Sequence, residues 1–231
     1  MAAERSPGTV LVTGGASGLG AAVAVAVEEA GGTAIVLDRV PPPNGFAFEA
    51  VDLAEPREAE AAVRRAIERT GRLDAVVTAA GTDACGDMAD VDADAWDRVV
   101  LVNLLGTAAV VRAALPALER SRGRVGTVAS TLGLRALPAA TAYCASKFGV
   151  VGFTRALAIE LGDRVGVTML VPGGMRTRFF DDRPETFKPA ADQLLNDPRD
   201  VAASVLFALS QPPGVEVREL LVTPAGEPSW P

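Results

Sequence analysis

The amino-acid sequence predicts an α/β protein with a parallel sheet covered by helices on both faces, in three layers. Short apolar runs alternate with segments of helical composition along the chain, and each run is nearly continuous, as in strands buried on both sides. No repeat, low-complexity tract or linker divides the 231 residues. We therefore expect one doubly wound domain over residues 1–231 with about seven strands.

The strands are predicted where apolar residues, many of them β-branched, form runs bounded by turn residues. These runs are Thr9–Thr13, Thr33–Asp38, Phe46–Val51, Leu73–Thr78, Arg124–Ala129, Val165–Val171 and Val217–Thr223. The third is the weakest of them.

Five segments between the strands are predicted to be helical: Leu19–Ala30, Pro56–Thr70, Ala93–Glu119, Ala142–Leu161 and Arg199–Ser210. Two glycines follow the first helix and a proline opens the second, which are common signals for a helix end and a helix start. The third is long enough to consist of two pieces. Prolines punctuate Phe179–Pro198, which we expect to be irregular.

Composition argues against several classes of function. The net charge of −7 without a basic cluster disfavours nucleic acid and acidic membrane surfaces as partners. No uninterrupted apolar run reaches the roughly 20 residues of a membrane span, and the first residues lack a signal-peptide pattern. We therefore expect no membrane partner and a cytoplasmic location. Cys85 and Cys144 are interpreted as free thiols, with an intermolecular disulfide as the alternative.

The chain contains no histidine. This excludes Ser-His-Asp and Cys-His catalysis and histidine-containing zinc sites, and no metal site is predicted. Proton transfer must therefore use tyrosine, lysine, a carboxylate, cysteine or water.

A glycine-rich turn joins the first strand to the first helix, with the sequence Thr13-Gly14-Gly15-Ala16-Ser17-Gly18-Leu19-Gly20. Glycines allow the backbone to approach a pyrophosphate, and the free N–H groups of the helix N-terminus point at it. The position after the first strand favours a dinucleotide site of the Rossmann fold over an ordinary tight turn.

The residue that ends the second strand bears on the choice of cofactor. A carboxylate at Asp38 can accept hydrogen bonds from the adenosine ribose hydroxyls and would repel a 2′-phosphate. This favours NAD over NADP. Arg39 keeps NADP open, because a guanidinium there could bind the phosphate, and Asp38 could also be a plain turn residue.

The only tyrosine, Tyr143, lies four residues before Lys147, one of only two lysines among twenty-two basic residues. On a helix, residues four apart share a face, so the ammonium can stabilise a phenolate and lower the pKa of Tyr143 from about 10. The other interpretation is a core-facing tyrosine beside a solvated lysine. The pair and the glycine turn together predict proton transfer next to a bound dinucleotide.

With these motifs the sequence resembles the short-chain dehydrogenase/reductase family, in its single-domain branch, from Thr9 to Thr223. The motifs that carry the resemblance are the glycine turn, Tyr143-Cys144-Ala145-Ser146-Lys147 and Pro172-Gly173-Gly174-Met175-Arg176-Thr177. These motifs indicate the family when they occur together, whereas each of them alone is a weak signal. The resemblance implies an NAD(P)-dependent oxidoreductase that interconverts a secondary alcohol and a ketone.

The resemblance implies a catalytic relay of four residues. Ser130 would hold the substrate oxygen and Tyr143 would give or take its proton. Lys147 would hold the nicotinamide ribose, and Asn103 would anchor a water that passes the proton to solvent. Structural roles remain alternatives for Ser130 and Asn103, as does a helix N-cap for Thr177.

The predicted cofactor contacts combine the residue-based expectations with those implied by the resemblance. They are Gly14, Ser17, Gly18, Leu19, Gly20, Asp38, Arg39, Asp52, Leu53, Ala80, Gly81, Tyr143, Lys147, Pro172, Gly173 and Thr177. The sequence departs from the family at Ala79-Ala80-Gly81, where the usual pattern is Asn-Ala-Gly, and after the last strand, where Asp-Gly-Gly is common. The segment after Thr177 is short, which implies a small lid.

The substrate itself is not identified by the sequence. The candidate lining residues are small or apolar and favour a moderately apolar alcohol or ketone: Thr82, Leu132, Leu134, Gly174, Met175, Phe179 and Phe180. Arg176 and Arg178 could recognise a carboxylate, although solvated arginines are the more common case.

Two rival functions remain open. One is a dinucleotide-binding regulator or scaffold without catalysis, and the other is a lyase or epimerase with the same machinery. The apolar excess on Ala93–Glu119 and Ala142–Leu161 indicates a second buried surface. The resemblance implies a homotetramer or dimer through these helices, with a monomer as the alternative.

Overall fold

The computed structural model describes residues 6–230 and contains one sheet of seven parallel strands. In chain order they are β1 (Thr9–Thr13), β2 (Thr33–Asp38), β3 (Ala47–Ala50), β4 (Ala75–Thr78), β5 (Arg124–Val128), β6 (Gly166–Pro172) and β7 (Glu219–Val222). Their order across the sheet is β3-β2-β1-β4-β5-β6-β7, and every neighbouring pair is parallel. The direction of progression reverses between β1 and β4, which creates a crevice at their carboxyl ends.

Helices cover both faces of the sheet. They are α1 (Gly18–Glu29), α2 (Pro56–Thr70), α3 (Ala93–Val100), α4 (Thr107–Ser121), α5 (Thr141–Leu161) and α6 (Pro198–Leu209). Helices α1 and α6 pack together over one apolar cluster, while α2, α4 and α5 cover another on the opposite face. This arrangement confirms the predicted three-layer fold, with element ends shifted by one or two residues.

The predicted third helix is continuous but changes its winding in the middle. Leu101–Gly106 forms a π-helical turn between α3 and α4. A β-carbon on Gly106 would lie 2.8 Å from the Leu53 carbonyl oxygen. The helix therefore passes close to the loop after β3. Such π turns frequently occur at functional sites, and this one contains Asn103.

By length and composition, one helix in the described part of the chain could cross a membrane. Ala93–Ser121 has 29 residues and a mean hydropathy of 1.8 in its most apolar window. Half of that window is buried inside the protein, where α4 packs against α2 and β4. The expectation that the chain lacks a segment of this kind was therefore too strong, although core helices can have the same composition.

The segment after β6 is irregular, as predicted. It contains two short 3₁₀ turns, Arg178–Phe180 and Glu185–Phe187, and one isolated bridge between Met175 and Asn196. This segment lies across the carboxyl edge of the sheet, where it lines the same cleft as the glycine turn.

Removing a core side chain tests the packing. Leu11 on β1 is fully buried, so Leu11→Ala should lower the free energy of unfolding by about 2–5 kcal/mol, through lost burial and the cavity it leaves. Val40→Ala, at a site that is 56% exposed, is the control and should change it by less than about 0.5 kcal/mol. Urea denaturation measures both, and equal effects would contradict this packing.

Candidate active site

A cleft of about 900 Å³ opens at the carboxyl ends of the strands. It is lined by the glycine turn after β1, by the end of β2, and by the loops after β3, β4, β5 and β6. All the predicted cofactor contacts line it, and so do the predicted catalytic residues except Asn103. The parallel sheet thus brings together residues that are far apart in the sequence.

The glycine turn has the backbone that an anion site requires. Gly14 and Gly18 have φ angles of 71° and 54°, in the left-handed region that favours glycine. A β-carbon on Gly20 would lie 2.3 Å from the Gly14 carbonyl oxygen, so only glycine fits there. Ser17 precedes α1 without capping it by its side chain. The turn therefore fits a pyrophosphate at the helix N-terminus.

Asp38 braces this turn from the end of β2. Its carboxylate accepts hydrogen bonds from the backbone N–H groups of Ala16, at 3.0 Å, and Arg39, at 2.7 Å. The turn role considered for Asp38 is therefore present, and the carboxylate also lines the cleft. Its predicted contact with the ribose remains a prediction.

Asp52, on the loop after β3, is held by an arginine that the sequence analysis did not identify. Arg98 of α3 donates to both carboxylate oxygens, at 2.7 and 3.0 Å. Burial acts to raise the pKa of Asp52, but the hydrogen bonds from Arg98 and from the Ala54 N–H outweigh it, so the pKa is lowered. Arg98 belongs to no recognisable motif and lies 46 residues from Asp52, which explains why it was missed.

Tyr143 and Lys147 lie on successive turns of α5, next to Ser130 at the end of β5. Ser130 forms a side-chain hydrogen bond with the Tyr143 phenol, and its Oγ accepts the Leu132 N–H at 3.1 Å. The Lys147 side chain is buried, with Nζ 5.6 Å from the centre of the Tyr143 ring. The structure therefore brings the predicted serine, tyrosine and lysine together.

The pKa of Tyr143 differs from the sequence-based prediction. Burial raises it well above the usual value of about 10, and the hydrogen bond with Ser130 offsets only part of this rise. Lys147 does not lower it here, since its Nζ donates to the Val128 carbonyl oxygen at 2.8 Å. Burial also lowers the pKa of Lys147, to about 8. The predicted lowering of the Tyr143 pKa by Lys147 was therefore wrong for this arrangement.

Asn103 is buried in the π turn, and its side chain makes three hydrogen bonds. Its Oδ1 accepts the Thr82 N–H at 2.8 Å, while its Nδ2 donates to the Thr82 carbonyl and to Ser146 Oγ at 2.9 and 3.0 Å. These bonds clamp the loop after β4 to α5. Asn103 Oδ1 and Lys147 Nζ lie on the same side of Gly81, 3.6 and 3.8 Å from the point where its β-carbon would be. The side chain of Asn103 therefore acts as a clamp, and its Oδ1 can accept one further hydrogen bond.

The loop after β6 carries Thr177 next to the glycine turn. The Thr177 side chain lies 3.5 Å from the point where a Gly18 β-carbon would be. Its Oγ1 accepts the Phe179 N–H at 3.3 Å, so the alternative capping role of Thr177 is present, on a short 3₁₀ turn.

Of the candidate substrate residues, all but one line the cleft: Thr82, Leu132, Gly174, Met175, Phe179 and Phe180. Leu134 packs instead against a buried cluster between α5 and β6. Arg176 and Arg178 are mostly exposed and pair with Asp197 and Asp181, which fits solvated arginines.

A buried ion pair, missed in the sequence, joins the two sides of the substrate end of the cleft. Asp83, on the loop after β4, pairs with Arg183, on the segment after β6. The Arg183 guanidinium also stacks on Phe179 and Phe180, at 5.1 and 4.6 Å from the ring centres. Asp83 raises the pKa of Tyr143 and Arg183 lowers it, although burial has the larger effect. The partners are 100 residues apart, so no local pattern indicates them.

Both cysteines are free, as predicted. Cys85 donates to Asp83 Oδ2 at 3.1 Å. Burial, with Asp83 contributing, raises the pKa of Cys85 to about 12, so it remains a thiol near neutral pH. Within residues 6–230, no group of three or more acidic or cysteine side chains could hold a metal ion.

Comparison with known proteins finds a matching family and several proteins of similar sequence. A family model described as short chain dehydrogenase matches residues 8–187. An uncharacterized oxidoreductase from Staphylococcus aureus strain MRSA252 is 33% identical over 226 residues, which cover 93% of this chain and 96% of that protein. Glycine betaine reductase from Emericella nidulans is 32% identical over 94% of this chain, but the match covers 19% of that longer protein.

Solved structures share the fold at lower identity. An alcohol dehydrogenase from Thermococcus sibiricus, complexed with 5-hydroxy-NADP, has a TM-score of 0.83 and 24% identity, covering 93% of this chain and 95% of its own. Aldohexose dehydrogenase from Thermoplasma acidophilum has a TM-score of 0.84 and 23% identity, covering 94% and 92%.

The raised pKa of Tyr143 can be tested directly, because no other tyrosine contributes to tyrosinate absorbance. The unfolded chain should ionise near pH 10, whereas the folded protein without ligands should still hold the phenol protonated there. Tyr143 therefore contributes stability that is complete below about pH 10 and is lost as the pH rises toward the folded pKa. Tyrosinate absorbance near neutral pH would contradict this assignment.

Proposed function

The chain belongs to the short-chain dehydrogenase family of oxidoreductases, and we propose that it interconverts a secondary alcohol and a ketone with NAD. The observation that carries this proposal is the meeting of Ser130, Tyr143 and Lys147 in the cleft that also contains the glycine turn. Alcohol oxidation requires two things: a group that exchanges a proton, and a binding site for a hydride carrier.

The cofactor site is proposed from the fit of the cleft to a dinucleotide. The glycine turn would hold the pyrophosphate, while Asp38 and Asp52 would receive the adenosine end. The rest of the cleft, toward Tyr143, is lined by Gly81, Pro172, Gly173 and Thr177. When bound, NAD supplies the carbon that accepts or returns the hydride.

The protein's own residues would handle the proton. Ser130 would hold the substrate oxygen and Tyr143 would exchange its proton, since these two hydroxyls already share a hydrogen bond. The raised pKa suits Tyr143 as the proton donor in ketone reduction. Lys147 would hold the nicotinamide ribose. Asn103 would anchor the water of the relay, since its Oδ1 accepts one hydrogen bond from the described residues and can accept a second.

The residues that line the substrate end of the cleft favour a moderately apolar alcohol or ketone as the substrate. Phe179 and Phe180 line it, and Phe179 lies 5.6 Å from the Tyr143 ring, centre to centre. The Asp83–Arg183 pair adds one polar contact point whose charges largely cancel. A carboxylate substrate is therefore less favoured than a neutral one.

The oligomer is proposed to be a dimer or tetramer formed through the long helices. Phe148 and Ile159 of α5 are 46% and 84% exposed, and Leu105 in the π turn is 45% exposed. Exposed apolar side chains of this size are common at interfaces. The free thiols of Cys85 and Cys144 suit the proposed cytoplasmic location.

A non-catalytic dinucleotide-binding regulator is the second candidate. A sensor would need no proton relay, so the Ser130–Tyr143 hydrogen bond beside Lys147 favours the enzyme. A lyase or epimerase with the same machinery is disfavoured, because the segment after β6 is short. NAD binding without turnover of any alcohol or ketone would favour the regulator.

Removing the phenol tests the catalytic assignment. Tyr143→Phe should lower kcat by about 10²–10⁴-fold, because the proton no longer has a donor or acceptor, while the Kd for NAD changes little. Turnover with a panel of secondary alcohols and isothermal titration with NAD measure the two effects. A variant that keeps near-normal kcat would refute the role of Tyr143.

The charge at Asp38 tests the choice of cofactor. Wild type should have at least about a tenfold higher kcat/KM with NAD than with NADP, because the carboxylate repels the 2′-phosphate. Asp38→Asn should lower the ratio of kcat/KM with NAD to kcat/KM with NADP. The control Asp163→Asn removes an equal charge at an exposed position next to the end of α5 and should leave the ratio unchanged. NADP is the alternative cofactor, favoured by Arg39 and by the 5-hydroxy-NADP bound to the Thermococcus relative, and a preference for NADP in wild type would establish it.

A further inference from the structure

The tail that follows β7 returns to the cleft. Glu227, Pro228 and Ser229 all line it, and Glu227 and Ser229 are buried at 9% and 8% exposure. No sequence motif indicated a role for these residues. The tail is therefore part of the wall that faces the proposed cofactor and substrate.

Glu227 is held in this wall by three hydrogen bonds. Its Oε2 accepts the Gly174 N–H at 3.0 Å, and its Oε1 accepts the N–H and the hydroxyl of Ser229 at 3.1 and 2.6 Å. Because an ionised carboxylate can only accept, the Ser229 hydroxyl donates to it, and Thr131 must donate to Ser229 across their 2.7 Å contact. Thr131 directly follows Ser130, so the network joins the loop after β6 to the proposed catalytic serine.

The loop after β6 is shaped around this carboxylate. A β-carbon on Gly173 would lie 2.4 Å from Glu227 Oε2, and one on Gly174 would lie 2.7 Å from a methyl group of Leu195. Side chains at these two glycines would displace the carboxylate or the lid segment. The two glycines therefore allow Glu227 to approach the backbone at the cleft.

Glu227 has no cationic partner within the described residues. The ion pairs of residues 6–230 do not include it, and the buried side chain of Lys147, which lines the same cleft, donates to a backbone carbonyl. Buried carboxylates are normally paired, because hydrogen bonds satisfy the oxygens without cancelling the charge. The charge of Glu227 therefore faces a cleft without a counter-charge supplied by those residues.

We propose that Glu227 is the counter-charge for the nicotinamide ring of the oxidised cofactor, an inference that rests on the proposed function. Hydride transfer requires this ring to lie beside the carbon whose oxygen Ser130 and Tyr143 hold. The loop that Glu227 supports, at Gly174, lines the same cleft as those residues and the glycine turn. The oxidised ring carries a positive charge and the reduced ring is neutral, so a fixed carboxylate stabilises only the oxidised form.

The site should consequently bind oxidised cofactor more tightly than reduced cofactor. By linkage, the bound reduced cofactor becomes a stronger hydride donor by the same factor. Glu227 would thus favour ketone reduction in the step that takes place on the enzyme.

The test compares the Kd values of NAD⁺ and NADH, measured by isothermal titration, for wild type and Glu227→Gln. The variant should weaken NAD⁺ binding by about tenfold, which corresponds to about 1.4 kcal/mol, and NADH binding by less than about threefold. Two controls accompany it. Ser229→Ala removes a hydrogen bond but keeps the charge, and Glu219→Gln removes an equal charge from a surface pair with Arg155. Neither should change the ratio of the two Kd values.

A second measurement needs no variant, so a folding defect in Glu227→Gln would leave the proposal testable. Benzamide adenine dinucleotide replaces the charged ring nitrogen of NAD⁺ with carbon, so its ring is neutral while the pyrophosphate is unchanged. Wild type should bind NAD⁺ about tenfold more tightly than this analogue.

Equal binding of NAD⁺ and the analogue would overturn the proposal, as would an equal loss of NAD⁺ and NADH affinity in Glu227→Gln. Either result would leave the proposed function intact and make Glu227 a structural support of the loop. If wild type prefers NADP, the Kd values of NADP⁺ and NADPH for wild type and Glu227→Gln test the proposal in the same way. Failure of wild type to bind any of these four cofactors would refute both proposals.

Discussion

Parallel pairing of the central strands is the constraint on which the site depends. Strands β2, β1, β4, β5 and β6 all end at the same edge, so the residues that follow them meet in one cleft. Side chains reinforce this edge: the Thr13 hydroxyl accepts the Ala80 N–H at 3.1 Å, and Asn103 clamps Thr82 to α5. Ala79, where the sequence departs from the Asn-Ala-Gly pattern, packs against the neighbouring apolar cluster. The edge is thus held by backbone pairing and a few polar contacts.

Burial of charge gives this cleft its chemical character. Lys147 and Glu227 are both buried without a partner of opposite charge in the described part of the chain, whereas Asp83 and Arg183 pair with each other. Burial moves the pKa of Lys147 down and that of Tyr143 up, which favours the neutral forms of both. A cationic ring next to Tyr143 and Glu227 would act against the effect of burial on Tyr143, because it stabilises a phenolate, and it would give the Glu227 carboxylate a counter-charge. The proposed chemistry and the proposed cofactor therefore support each other electrostatically.

Local sequence patterns were sufficient for the fold and for the residues at the strand ends. Apolar runs located all seven strands, and the +4 spacing on one helix located Tyr143 and Lys147. The pattern could not reveal pairs that form only through tertiary structure, such as Asp83 with Arg183 or Glu227 with Gly174. It also gave the wrong direction for the pKa of Tyr143, because spacing indicates proximity but not burial or the carbonyl that binds Lys147. The π turn at Asn103 was missed for a similar reason, since the close approach of its Gly106 to the loop after β3 is a tertiary contact.

The central claim is that Tyr143 exchanges a proton next to an oxidised nicotinamide ring. The most direct test labels the single tyrosine at its phenolic carbon with a stable isotope and follows its titration by NMR in the presence of saturating NAD⁺. The account predicts that the pKa of Tyr143 falls below its value in the protein alone, toward neutral pH, because the cationic ring stabilises the phenolate. A phenol that titrates at the same high pH with and without NAD⁺ would contradict it.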